Sequence, residues 1–300
     1  MRRSLVAGSV GIVLAALVSG GCARLLARSL LSRHSAGQRA SSSLRGEESV
    51  IGGISVSIWN PKGETGPAPL VLFSHGFHGS SNQSKFLTSA LADHGYLVVA
   101  PEHSDSSMYR HGAITDGLGE FKQGSTWTDR SHEDRVKDFR KLIGAMKADP
   151  HWSRAVDWKK VAIVGHSLGG YTALGIGGAW PTWRIADVKA VIALSPFCAP
   201  YVQHKTLSHL QAPVMYQGGT RDFGITPTVI KGGAAFDSTP SPAYYVELEG
   251  AGHFAWTDLN RRYQPSIVHY CEAFLDRYLR GDITADLTEK EPDVSLLRKK

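Results

Sequence analysis

The sequence predicts an α/β fold, a mostly parallel sheet flanked by helices, and three observations predict it. Short unbroken apolar runs such as Leu70–Phe73, Tyr96–Ala100 and Val161–Val164 read as strands buried on both faces. Other stretches space their apolar residues helically, as at Val136, Phe139, Leu142, Ile143 and Met146. The two patterns alternate along the chain, and right-handed crossovers between such strands make the sheet mainly parallel. The chain has 300 residues, 42% hydrophobic and 20% charged, which suits one large globular domain with a well-buried core.

The N-terminus reads as a targeting segment. Met1-Arg-Arg3 is a positive start, Ser4 to Gly21 is uncharged and mostly apolar, and small residues precede Cys22. That run is slightly short for a spanning helix, which needs about 20 residues. Residues 1–22 are therefore expected to be a signal peptide. Ser19-Gly-Gly-Cys22 resembles a lipoprotein cleavage box, with serine where leucine is usual. Cys22 is then a candidate lipid anchor and membrane tether, and an uncleaved membrane anchor is the alternative. Residues 23–49, rich in Ser, Arg and Gly without apolar periodicity, read as a flexible tether. The domain is expected over residues 50–282, followed by a charged, frayed tail over 283–300.

Within the domain, Ile54–Trp59 alternates and reads as an edge strand. Leu70–Phe73 runs into Ser74-His-Gly-Phe-His-Gly79, and Ser84 to His94 reads as a helix before the strand Tyr96–Ala100. Glu102 to Asp129 has no clear period. An insertion of this size is uncommon unless functional, so a lid or substrate-facing loop is expected, with a surface insertion as the bland alternative. Ser131 with Asp134 suits the start of a helix ending at Met146. A helix from Leu168 to Trp180 carries Gly175, Gly177 and Gly178, a cost that close packing on the sheet would justify. Val188–Leu194, Pro213–Tyr216 and Ala243–Leu248 are further strands, and Pro265–Arg280 is a last helix with an apolar stripe.

The formal charge of +6 lies partly in the two ends, and no basic block interleaved with aromatics lies between them, which excludes a nucleic-acid partner as the working reading. Of three cysteines, Cys198 and Cys271 form an even pair once Cys22 is set aside. A disulfide and two buried thiols are both open at this point.

The chemistry centres on Gly165-His-Ser167-Leu-Gly169, which fits the nucleophile-elbow pattern G-x-S-x-G. A buried strand leads into it and a helical stretch follows. Small residues two positions either side of the serine let the backbone pass close on a strained turn. A serine hydroxyl needs a base, and the base needs an orienting acid. Asp222 follows one later strand through Gly218-Gly-Thr-Arg221, and His253 follows the next through Glu249-Gly-Ala-Gly252. Both are thereby expected at the C-terminal edge of the sheet. Asp237 and Asp258 are alternative acids, and His75, His103, His111, His132 and His166 are competing histidines that read as structural. Backbone N–H groups of Leu168, opening the elbow helix, and Phe77, in the loop after Leu70–Phe73, are candidate oxyanion donors.

With these motifs in view, Phe73-Ser-His-Gly-Phe-His-Gly79, Val99-Ala-Pro-Glu-His-Ser-Asp105, Gly165-His-Ser-Leu-Gly-Gly170 and Gly252-His-Phe-Ala255 resemble the α/β-hydrolase superfamily. They are most similar to its dienelactone-hydrolase-like branch and to platelet-activating-factor acetylhydrolases, over roughly residues 50 to 280. The resemblance implies an eight-stranded, mostly parallel sheet, a Ser-Asp-His triad, and neither metal nor organic cofactor. Bacterial polyester hydrolases resemble the same branch, but usually carry methionine where this chain has Leu168. Dienelactone hydrolases proper use cysteine where this chain has Ser167. The expected activity is hydrolysis of short-acyl or lipid esters by an exported serine esterase. An acyltransferase or peptidase using the same triad, and a silent cell-surface binding module, are the alternatives.

Overall fold

The computed structural model describes residues 44–300 except residues 64, 108 and 110–116. The expected signal peptide, Cys22, most of the expected tether and His111 lie outside the described residues. The described strands are β1 (Glu47–Ile51), β2 (Ile54–Trp59), β3 (Ala68–Ser74), β4 (Leu97–Pro101), β5 (Val156–His166), β6 (Val188–Leu194), β7 (Val214–Gly219), β8 (Ala243–Leu248) and β9 (Val294–Lys299). They form one sheet in the order β1-β2-β4-β3-β5-β6-β7-β8-β9. The run from β4 to β8 is parallel; β1, β2 and β9 add antiparallel pairings at the two edges.

The central strands are buried on both faces, as their unbroken apolar runs require. Leu70 and Leu72 of β3 face one core, with Phe139, Leu142 and Leu168. Val71 and Phe73 face the other, with Leu87, Tyr270 and Phe274. Helices α1 (Lys85–Asp93), α2 (Glu133–Ala148), α3 (Pro150–Ala155), α4 (Leu168–Leu174), α5 (Ala199–His204), α6 (Thr226–Ile230), α7 (Ala235–Ser238) and α8 (Gln264–Leu275) fill the crossovers. The glycines after α4 do permit close packing. A Cβ at Gly177 would lie 2.7 Å from Val191 on β6, and one at Gly175 would lie 2.5 Å from the Trp183 ring.

Both ends of the domain extend further than the sequence suggests, and the sheet has nine strands rather than eight. β1 starts at Glu47, inside the stretch expected to be tether, and makes Ile54–Trp59 the second strand rather than the edge. Gly52 and Gly53 both have positive φ (58° and 76°), the conformation that a two-residue hairpin turn demands. The tail expected to fray instead ends in β9, antiparallel to β8. Val294 is buried, and Arg298 and Lys299 lie over the rings of Phe236 and Tyr244. Such charges also suit an edge strand, which must not recruit another chain.

Three local points are decided by the structure as well. Helix α2 is preceded by His132 with no side-chain cap; Ser131 Oγ instead accepts from Thr128 N–H, and Asp134 accepts from Ser104. Cys198 and Cys271 belong to cores on opposite faces of the sheet and are both free thiols. Trp180, Trp183 and Trp256 are packed in the core.

Candidate active site

The elbow is built by steric exclusion. Ser167 sits at φ 56°, ψ −115°, a strained conformation for a residue with a side chain. It stands between the end of β5 and the first turn of α4. A Cβ at Gly165 would fall 2.1 Å from Gly169 O, and one at Gly169 would fall 1.9 Å from Ser74 O. These are backbone neighbours that cannot swing aside, so both outer glycines of the motif are required by the fold. Gly169→Ala is expected to cost roughly 3 kcal/mol or more of stability, by the overpacking rule. Gly144→Ala, on the exposed face of α2 with nothing within 4 Å of the new methyl, should instead gain up to about 1 kcal/mol. Denaturant melts of the two variants measure both, and equal effects would refute the steric account.

The structure brings Ser167, Asp222 and His253 together at the C-terminal edge of the sheet. His253 Nε2 is 2.9 Å from Ser167 Oγ, and His253 Nδ1 is 3.1 Å from Asp222 Oδ2. Ser167 and Asp222 are buried, while the His253 side chain keeps 27% of its surface. Asp222 is held by the turn after β7, where Ile225 N–H and Thr226 N–H both bond back to its carbonyl. The alternative acids have other work. Asp258 accepts from Lys85 N–H and Phe86 N–H at the start of α1, and Asp237 accepts from Gly233 N–H.

One member of this cluster went unread in the sequence. Ser195, the residue after β6, donates to Asp222 Oδ2 and lies 2.9 Å from His253 Nδ1. Its φ of 43° is a second strained position beside Ser167. The available signal was its place at the end of a strand, at the same sheet edge as Asp222 and His253.

His166 does not compete for the base role. It is buried, its Nδ1 accepts from Gln83 Nε2 at 3.0 Å, and its Nε2–H donates to His253 O at 2.9 Å. Burial first, and then the nearby His253, push its pKa down to about 3. His75 and His103 are lowered too, chiefly by burial and then by Arg135. An unfolded chain protonates these rings near 6.5 and the folded one does not, so stability should fall as pH drops from about 6.5 toward 3. Asp138, raised to about 7 by burial and then Asp134, tilts the other way between about 4 and 7. It is one partly exposed carboxyl against three buried rings. His166 alone contributes a slope of at most about 1.4 kcal/mol per pH unit. Urea midpoints at pH 7, 6 and 5 should decrease in that order, and more shallowly in His166→Asn.

A cavity of about 410 Å³ opens over Ser167 and His253. Phe77, Phe121, Phe197, Ile225 and Phe254 give it apolar walls, and among the described residues Lys122 is the only Lys, Arg, Asp or Glu lining it. Phe121 and Lys122 belong to the Glu102–Asp129 insertion, so its described part does face the cavity. That part is anchored rather than loose: Phe121 packs edge-on against Phe77, Trp127 and Phe197 at centroid distances of 5.1 Å. Leu168 begins α4 directly after Ser167, and Phe77 lines the cavity from the loop after β3. Among the described residues no group of three or more metal-ligating side chains occurs, and no helix is long and apolar enough to cross a membrane.

An elbow serine at the C-terminal edge of a mostly parallel sheet, facing a histidine from the loop after β8, defines the α/β-hydrolase class. Within that class the chain belongs to the family described as serine aminopeptidase, S33, whose model matches residues 65–217. It is similar to cutinase est2 of Thermobifida alba, 24% identical over 71% of this chain and 60% of the relative. It is similar to a cutinase of Thermobifida fusca (strain YX), 26% identical over 71% of this chain and 60% of the relative. A third relative, esterase YjfP of Escherichia coli (strain K12), is 32% identical over 39% of this chain and 43% of its own length. The chain thus spans about 60% of the length of those two cutinases.

Proposed function

We propose that this chain is an exported carboxylic-ester hydrolase working through an acyl-enzyme on Ser167. The single observation that carries the reading is the 2.9 Å contact from His253 Nε2 to Ser167 Oγ, with Asp222 behind the ring. In this reading Ser167 attacks the ester carbonyl as His253 takes its proton. The imidazolium then protonates the departing alcohol, and a water repeats the sequence to free the acid. Asp222 holds the ring with Nδ1–H inward and stabilises its cation. The N–H groups of Leu168 and Phe77 receive the oxyanion.

The cavity supports an apolar acyl or alcohol group of modest size, since pockets of a few hundred Å³ suit small ligands. A lipid ester of the kind cleaved by platelet-activating-factor acetylhydrolases fits this description, as do the esters implied by the cutinase relatives. The family's aminopeptidase name supports a second reading, cleavage of an amide beside a free amino terminus. An α-ammonium needs a carboxylate to receive it, and among the described residues no acidic side chain lines the cavity. The N-terminal segment supports export, with lipidation at Cys22 as its finer form.

The test compares a p-nitrophenyl ester series of rising acyl length with amino-acid p-nitroanilides on the purified protein. Ester turnover at least about 100-fold faster in kcat/KM than anilide turnover is expected. Labelling by a fluorophosphonate probe should map to Ser167. Anilide cleavage that outpaces every ester, or a folded protein the probe does not label, would sink the proposal.

A further inference from the structure

Behind the loop that carries Phe77 lies a buried polar layer that the reaction drawn above does not touch. Its centre is Arg135 of α2, which has no exposed surface. Nε and Nη2 donate to the two carboxylate oxygens of Asp105 at 3.1 and 2.8 Å. Nη1 donates to His75 O at 2.7 Å and to Ser74 Oγ at 3.2 Å, and Nη2 also reaches Gly76 O at 3.4 Å. Gly76 O accepts again from His75 Nδ1–H at 2.7 Å, and the His75 ring is held in turn by His103 N–H on its Nε2 at 3.2 Å.

Peptide planarity turns these contacts into an orientation. In a trans peptide unit the C=O and the N–H point in opposite directions. Gly76 C=O and Phe77 N–H belong to one such unit, so drawing Gly76 O toward Arg135 and His75 turns Phe77 N–H the other way. The preceding unit behaves likewise: with His75 O held by Arg135, Gly76 N–H meets Gln83 Oε1 at 3.0 Å. Phe77 N–H finds no acceptor among the described residues. The loop also lies against the elbow, since a Cβ at Gly76 would be 3.5 Å from Ser167 Cβ.

A fully buried guanidinium costs several kcal/mol to desolvate, and its ion pair with Asp105 offsets that only in part. An apolar side chain would fill the same space on α2 at lower cost. What an apolar residue cannot do is hold two successive carbonyls, and lysine lacks the planar fork that spans them and the Asp105 carboxylate at once.

We propose that Arg135, braced by Asp105, is a positioning residue for acyl transfer, holding the His75 and Gly76 carbonyls so that Phe77 N–H faces the oxyanion. The inference rests on the reading of Ser167 as the acylated nucleophile. Arg135 touches no substrate atom; it acts through the backbone of the loop.

The experiment compares a short p-nitrophenyl ester with its thionoester analogue in wild type, Arg135→Lys and Asp105→Asn. Sulfur accepts hydrogen bonds weakly, so the thionoester depends less on the oxyanion donors. Arg135→Lys should lower kcat for the oxygen ester about 30-fold with KM changed less than about two-fold, as loss of a transition-state contact requires. The ratio of oxygen-ester to thionoester kcat/KM should shrink about ten-fold, by the same reasoning on donor loss. Asp105→Asn should move the ratio the same way and carries the comparison if Arg135→Lys does not fold. Equal losses on both substrates, or an unchanged ratio in a folded variant, overturn the positioning role and leave a buried ion pair that only stabilises. A wild-type protein that turns over neither substrate and resists the fluorophosphonate probe instead defeats the ester-hydrolase reading itself.

Discussion

Ser167→Ala should lower kcat on short p-nitrophenyl esters by about 10⁵- to 10⁶-fold, the scale seen when a hydrolase loses its nucleophile. KM should change little, because the apolar walls from Phe77, Phe121, Phe197 and Phe254 are untouched. The substitution removes the atom 2.9 Å from His253 Nε2 and leaves the histidine, the acid and the two N–H groups in place. A residual rate above water is therefore expected, supplied by those N–H groups and by binding alone. Alanine at this strained position also relieves no steric clash, so the melting temperature should stay near that of wild type. Steady-state kinetics with paired thermal melts decide the matter. A variant that keeps a tenth of the wild-type rate would remove Ser167 from the chemistry.

Asp222→Asn should lower kcat by about 10³- to 10⁴-fold, with folding intact, because an amide can present N–H to the imidazole and favour the wrong tautomer. Ser195 tempers that loss. Its hydroxyl lies 2.9 Å from His253 Nδ1 and donates to Asp222, so it can still accept Nδ1–H when the carboxylate is gone. Ser195→Ala by itself should cost only about ten-fold, since the charged acceptor remains and charge-assisted bonds are roughly twice as strong as neutral ones. The double variant should lose more than the product of the two single losses, the signature of groups that substitute for one another. Strict additivity in that cycle would show that Ser195 has no backup role. A loss in Asp222→Asn of less than ten-fold would move the acid elsewhere.

The three residues of the proposed reacting centre stand out in the sequence because each carries a local signal. Ser167 sits in a glycine pattern that stands out within five residues, enforced at Gly165 by the nearby Gly169 O and at Gly169 by Ser74 O of β3. Asp222 and His253 each follow a buried strand through a glycine turn, and parallel strands deliver all such turns to one edge. Ser195 follows a strand too, but without flanking glycines and with no role in the three-residue pattern it had nothing to mark it. His166 was readable as a non-competitor, yet the partners of its ring, Gln83 and His253 O, lie 83 and 87 residues away. Arg135 carries no mark in the sequence; its burial depends on Asp105 and on carbonyls about 60 residues earlier.

By itself, then, the sequence determined the alternation of buried strands and helices, the parallel sheet, the elbow and the order of Ser167, Asp222 and His253. These follow from periodicity and turn chemistry acting over a few residues. Only the tertiary structure decided that residues 47–51 and 294–299 complete the sheet, that Cys198 and Cys271 lie on opposite faces, and that Arg135 reaches the loop of Phe77. Edge strands are half-exposed and lack the unbroken apolar run of a central strand. Contacts across tens of residues are chosen by which elements pack together, and that choice leaves no period along the chain.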